Sequence, residues 1–136
     1  MDALQVTLSL VALVAGATAL GLVWRATTGR ARAGRGSVEG AALGLDEAAE
    51  VTLVQFSSEV CAPCRATARV LGQVADDRVR HLEIDVAERP DLASRFNVLQ
   101  TPTTLIVDRG GAVRARIGGA VRRSVIDAEL ERILAA

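Results

Sequence analysis

The chain opens on twenty-two consecutive residues without a charge, Ala3 to Trp24, interrupted only by mild polar groups such as Gln5, Thr7, Ser9 and Thr18. As a helix this stretch rises about 33 Å, enough to cross a hydrocarbon core of about 30 Å, so the pattern predicts a membrane-spanning helix over residues 3–24. Trp24 suits an interfacial position and is followed by Arg25, Arg30, Arg32 and Arg35, whereas only the amino terminus and Asp2 precede the span. By the positive-inside rule that asymmetry places the C-terminal part on the cytoplasmic side. The rival reading is a cleavable signal peptide, since Ala17-Thr18-Ala19 resembles a cleavage site. Against it, no basic region comes first and the apolar run continues past those residues.

Residues 25–40, rich in Arg, Gly and Ala, read as a flexible linker, and residues 41–136 as the folded domain. Val38 to Glu50 is expected to supply a brief helix or edge strand. Beyond it the hydrophobic period switches regularly. Val51 to Ser57 reads as a buried strand, 62–75 as a helix, Val79 to Asp85 as a strand, and 90–96 as a short helix that Pro90 can start. Thr103 to Val107 and Ala112 to Ile117 form a predicted hairpin around Asp108, Arg109, Gly110 and Gly111, whose glycines accept positive φ. Val121 to Leu134 closes the chain as an amphipathic helix with Val125, Ile126, Leu130, Ile133 and Leu134 on its apolar face. Strands alternating with helices, then a hairpin and a last helix, imply an α/β domain: a mixed central sheet flanked by helices.

Composition changes this picture little. With 136 residues, half of them hydrophobic, there is room for one domain and an anchor. Residues 1–36 carry four Arg and one Asp, and residues 37–136 carry twelve Arg and fifteen acidic residues, giving +3 and −3. A slightly acidic domain with scattered Arg offers no basic stripe for nucleic acid. All sixteen cationic residues are Arg, a bias of composition that implies no mechanism.

The chemistry lies in Cys61-Ala62-Pro63-Cys64, which holds both cysteines of the chain and sits between a buried strand and a helix. Two thiols at that spacing close and reopen a disulfide, and a helix start stabilises the first thiolate through unpaired N–H groups and the helix dipole. The loop they close is too short to be a structural staple. With Thr101-Pro102-Thr103 placed before the hairpin, thirty-eight residues beyond Cys64, the chain resembles a thioredoxin over residues 41–136. The resemblance implies a thioredoxin-like fold and a protein-disulfide reductase without a tightly bound cofactor. Its partners would be protein disulfide substrates and a separate electron donor. Cys61 would be the exposed nucleophile and Cys64 the buried resolving thiol, with Pro63 stiffening the turn. Pro102 would be cis and face the dithiol, leaving the backbone of Thr101 to pair with an extended substrate.

Three positions depart from the family pattern. Gln55 stands where a buried Asp is usual and cannot accept a proton, so Glu59 or His81 is the candidate to relay the proton of Cys64 through water. Val60 and Ser57 replace aromatic residues beside the dithiol, which implies a different client surface. Arg65 adds positive charge one residue past Cys64 or is simply an exposed helix residue. A zinc site finds only half its ligands, since no second cysteine pair exists and His81 is the single histidine. Nor does either cysteine stand in a hydrolase nucleophile context. Two alternatives to a cytoplasmic reductase stay open: a membrane-tethered binding or assembly module, and an extracytoplasmic disulfide reductase or isomerase.

Overall fold

The computed structural model describes residues 2–38, 43–46 and 48–136. Helix α1, Ala3–Thr27, contains the apolar run; its mean hydropathy reaches 2.2 and none of its most apolar stretch is buried. It continues three residues past Trp24, and its end is closed by Thr28, whose N–H and Oγ1 both donate to the Trp24 carbonyl at 3.0 and 2.8 Å. Five strands follow: β1, Ala31–Ala33; β2, Val51–Ser57; β3, Val79–Asp85; β4, Thr103–Asp108; and β5, Val113–Gly118. Helices α2, Ala62–Val74, and α3, Pro90–Arg95, lie between strands, and α4, Arg123–Leu134, ends the fold. Each element expected between Val51 and Leu134 is present to within two residues at its ends.

The strands form one sheet in the order β1-β5-β4-β2-β3. β2 and β3 are parallel, which requires a crossover, and α2 supplies it. The other pairings are antiparallel. At the β4–β5 turn Gly111 takes φ +81° and donates to the Asp108 carbonyl at 2.9 Å, the conformation that made glycine the expected residue there.

Alternation along β2 divides the core. Val51 and Leu53 point to one face, where Leu71 of α2, Val79, Ile106, Ile117 and Ile126 and Leu130 of α4 close over them. Val54 and Phe56 point to the other, with Ile84, Leu92, Leu105 and Val113. All seven residues of β2 are buried, as expected of a central strand covered on both faces.

One expectation is corrected. The stretch read as linker is not free chain: Ala31–Ala33 adds antiparallel to the edge of β5, and Ser37 bridges Ala112. An exposed sheet edge offers backbone donors and acceptors to any extended segment that reaches it, whatever its composition. The short element expected between Val38 and Glu50 falls partly on residues 39–42 and 47, outside the described residues. Of the rest, Val38 and Leu43 are buried in the second core cluster.

Candidate active site

Cys61 and Cys64 meet at the start of α2, joined as a disulfide with their Cα atoms 5.2 Å apart. Cys61 is the N-cap, and its Sγ accepts from the Cys64 N–H at 3.2 Å, a contact that favours negative charge on that sulfur. Pro63 is in the first turn, where its missing N–H costs nothing. The two sulfurs differ in access: Cys61 is partly exposed, whereas Cys64 is 1% exposed. Val60, next to Cys61 in the chain, is 94% exposed. Arg65 and Glu59 are also exposed.

The peptide bond between Thr101 and Pro102 is cis, as expected. Pro102 is buried, and its carbonyl accepts from the Gly119 N–H at 2.8 Å, which ties the loop to the end of β5. Thr101 is partly exposed. Among the described residues its backbone enters none of the turn and loop hydrogen bonds.

Beneath the dithiol lies Gln55, fully buried, at the position that sequence reasoning marked as lacking an acid. Its Nε2 donates to the Cys64 carbonyl at 2.9 Å. A carbonyl can only accept, so this contact fixes the amide orientation and turns Oε1 toward His81 Nε2, 3.0 Å away. The imidazole therefore donates through Nε2. Both ends of a buried amide are satisfied, and a neutral bridge runs from His81 to the backbone of the resolving cysteine. Of the two relay candidates, then, His81 is brought into contact with this assembly, while Glu59 makes no side-chain hydrogen bond among the described residues.

Burial pushes the His81 imidazole below its ordinary range, and Glu83 opposes this in part. With the folded value depressed, the unfolded chain takes up its proton first as pH falls through about 6.5, so stability is present above that pH and is lost below it. Urea midpoints should therefore fall between about pH 7 and pH 5. In His81→Gln that dependence should flatten; an unchanged slope would remove His81 as its source.

Two threonines escaped the sequence reading. Thr67, 1% exposed and three residues past Cys64, offers Oγ1 to the Val121 N–H at 3.4 Å, joining α2 to the chain entering α4. Thr104, opposite Gln55 on β4, is fully buried, and its hydroxyl has no hydrogen-bond partner among the described residues. Helical spacing from Cys64 gave a signal for the first, and strand register for the second.

The sequence model of thioredoxins matches residues 43–132. The chain belongs to the thioredoxin family. Thioredoxin H2 of Arabidopsis thaliana is 36% identical over 76 residues, which cover 54% of this chain and 57% of the relative. Chloroplastic thioredoxin M4 of the same plant is 33% identical over 85 residues, 60% of this chain and 44% of the relative, so the chain spans about half the length of both. Among solved structures, chloroplastic thioredoxin z superposes with a TM-score of 0.63 at 29% identity, covering 77% of this chain and 96% of the other. The mitochondrial thioredoxin 3 of Saccharomyces cerevisiae, in its oxidised form, shares the fold with a TM-score of 0.57 at 23% identity, covering 68% of this chain and 87% of its own.

Proposed function

We propose that the protein is a membrane-anchored thiol-disulfide oxidoreductase that reduces protein disulfides on the cytoplasmic side. The observation that carries this reading is the asymmetry of the pair: an accessible sulfur that accepts a backbone N–H at a helix start, over a buried second sulfur. In the reduced protein the Cys61 thiolate attacks a substrate disulfide. An S–S bond forms between Cys61 and the substrate, and the substrate's other sulfur leaves as thiolate. Cys64 then attacks Cys61, closing the protein disulfide and releasing the second substrate thiolate. Thr101, beside Pro102, offers its backbone to the substrate chain. An external dithiol reductant recycles the pair; a cytoplasmic redox poise favours that direction.

Gln55 has no proton to give or take here, so its part is to hold the Cys64 carbonyl. His81, whose Nε2–H donates to Gln55, is the group we assign to taking the Cys64 proton, through water and at Nδ1, the ring nitrogen left free to accept. Accelerated reduction of insulin disulfides by the full chain with dithiothreitol, over dithiothreitol alone, tests the chemistry; no acceleration would overturn it.

The apolar, unburied α1 and the Trp24–Arg25 boundary support the anchor, and the four arginines after Trp24 support a cytoplasmic domain. Ser37 is exposed and suits a topology probe. In a Ser37→Cys variant that also carries Cys61→Ser and Cys64→Ser, a membrane-impermeant thiol reagent should label only permeabilised cells. Labelling of intact cells would place the domain outside.

A further inference from the structure

The way α1 joins the sheet decides which way the dithiol faces. Three residues, Thr28, Gly29 and Arg30, connect α1 to β1, a reach of at most about 11 Å. Even these are held: the Gly29 N–H donates to the Gly118 carbonyl at 2.9 Å, and Thr28 folds back on Trp24. β1 runs away from that point, Ala31 pairing with Ile117 and Ala33 with Ala115, so α1 enters at the Gly118 end of the sheet. Gly118, Thr103 and Phe56 form one row across β5, β4 and β2, about 10 Å from end to end. Thr103 follows Pro102, and Phe56 is the last residue but one of β2, the strand that leads into Cys61. The dithiol, Thr101 and the foot of the membrane helix therefore share one end of the sheet.

A cleft of about 580 Å³ opens at the helix foot, lined by Trp24, Thr28 and Arg30 on the helix side and by Leu99, Gln100 and Thr103, which flank Thr101 and Pro102 in the chain, on the other. Leu99 is 84% exposed, and Val60 stands equally bare beside Cys61. The cleft has room for an extended segment that passes the helix foot on its way to Thr101.

Resting on the oxidoreductase reading, we infer that the substrates are disulfides in the membrane-adjacent segments of other membrane-embedded proteins, within a few residues of the headgroups. A thioredoxin on a long tether would sample disulfides at any height. Here the dithiol is turned toward the bilayer and the tether is pinned to β5, so a short, favourably placed substrate gains effective concentration and a distant one does not.

The test uses the full chain with Cys64→Ser, reduced and placed in lipid nanodiscs with single-span peptides whose cysteine is capped by thionitrobenzoate. Attack by Cys61 forms the mixed disulfide with the peptide and expels coloured thionitrobenzoate. The cysteine stands about three or about twenty-five residues beyond the headgroups, the second reaching some 80 Å when extended. The near peptide is expected to react about tenfold faster or more. Inserting about twelve Gly/Ser residues between Thr27 and Thr28, which leaves the Gly29–Gly118 bond intact, should bring the two rates together. Equal rates in the parent chain, or a height preference that survives the insertion, would overturn the inference while the thiol chemistry stands. No release from any peptide, a water-soluble one included, would overturn both.

Discussion

Cys61→Ser is expected to abolish disulfide reduction, lowering insulin turnover by about a thousandfold or more, because a serine hydroxyl does not exchange with disulfides. Cys64→Ser should behave differently. Its Cys61 can still attack, so it should form one equivalent of a mixed disulfide and then stop, with no second thiol to release the substrate. Burial makes the two roles non-interchangeable: at 1% exposure Cys64 is closed to a protein disulfide, while Cys61 is open. The Cys64 N–H aimed at Cys61 Sγ adds to this, stabilising the thiolate on the accessible sulfur alone. Non-reducing electrophoresis separates the outcomes. A trapped adduct with Cys61→Ser and none with Cys64→Ser would reverse the assignment; turnover retained by the double variant would remove it.

Most of the domain could be read along the chain because its signals are local. Val51 to Ser57 is a continuous buried run between turn residues, and Gly110-Gly111 marks a hairpin wherever it falls between two apolar strands. β1 has no such signal. Ala31, Arg32 and Ala33 show neither the length nor the side chains of a strand, and their conformation is set by an edge of β5 more than eighty residues away. The composition of 25–40 does suit a linker; what overrides it is the backbone pairing available at that edge.

Gln55 was legible as a departure but not as a bridge. Seeing the bridge requires the register of β2 against β3, in which His81 pairs with Leu53 and so lies diagonally from Gln55 on the same face. Parallel register is set by a crossover helix and its packing, and no short motif encodes it. Glu59 is much the nearer of the two relay candidates to Cys61 in sequence, yet the turn after β2 leaves it in solvent. The same row of residues that leads into the cis proline and toward Cys61 also receives the end of α1, and that coincidence appears only once β1 is paired. The position of α1 against the sheet is thus a property of topology, while the presence of the helix is a property of hydropathy.

The second large effect is expected at Gln55. Gln55→Glu preserves shape but replaces the Nε2 donor by an oxygen, which now faces the Cys64 carbonyl, and two acceptors cannot share that contact unless a proton lies between them. The introduced carboxyl is wholly buried and is therefore held protonated, its pKa raised above the unfolded value of about 4.3. For a raised pKa the stability is fully present below the unfolded value and falls as pH rises toward the folded one. The loss is about 1.4 kcal/mol per pH unit above 4.3, about 3.7 kcal/mol at pH 7 while the carboxyl stays protonated in the fold. Transfer of that proton to His81 would not change the result near pH 7, because the folded pair still carries one proton more than the unfolded chain. Urea unfolding of the variant should thus approach the parent near pH 4 and fall steadily behind it up to pH 7, a slope opposite in sign to that expected from His81. A variant as stable as the parent at pH 7 would show that the Cys64 carbonyl does not need the Gln55 donor.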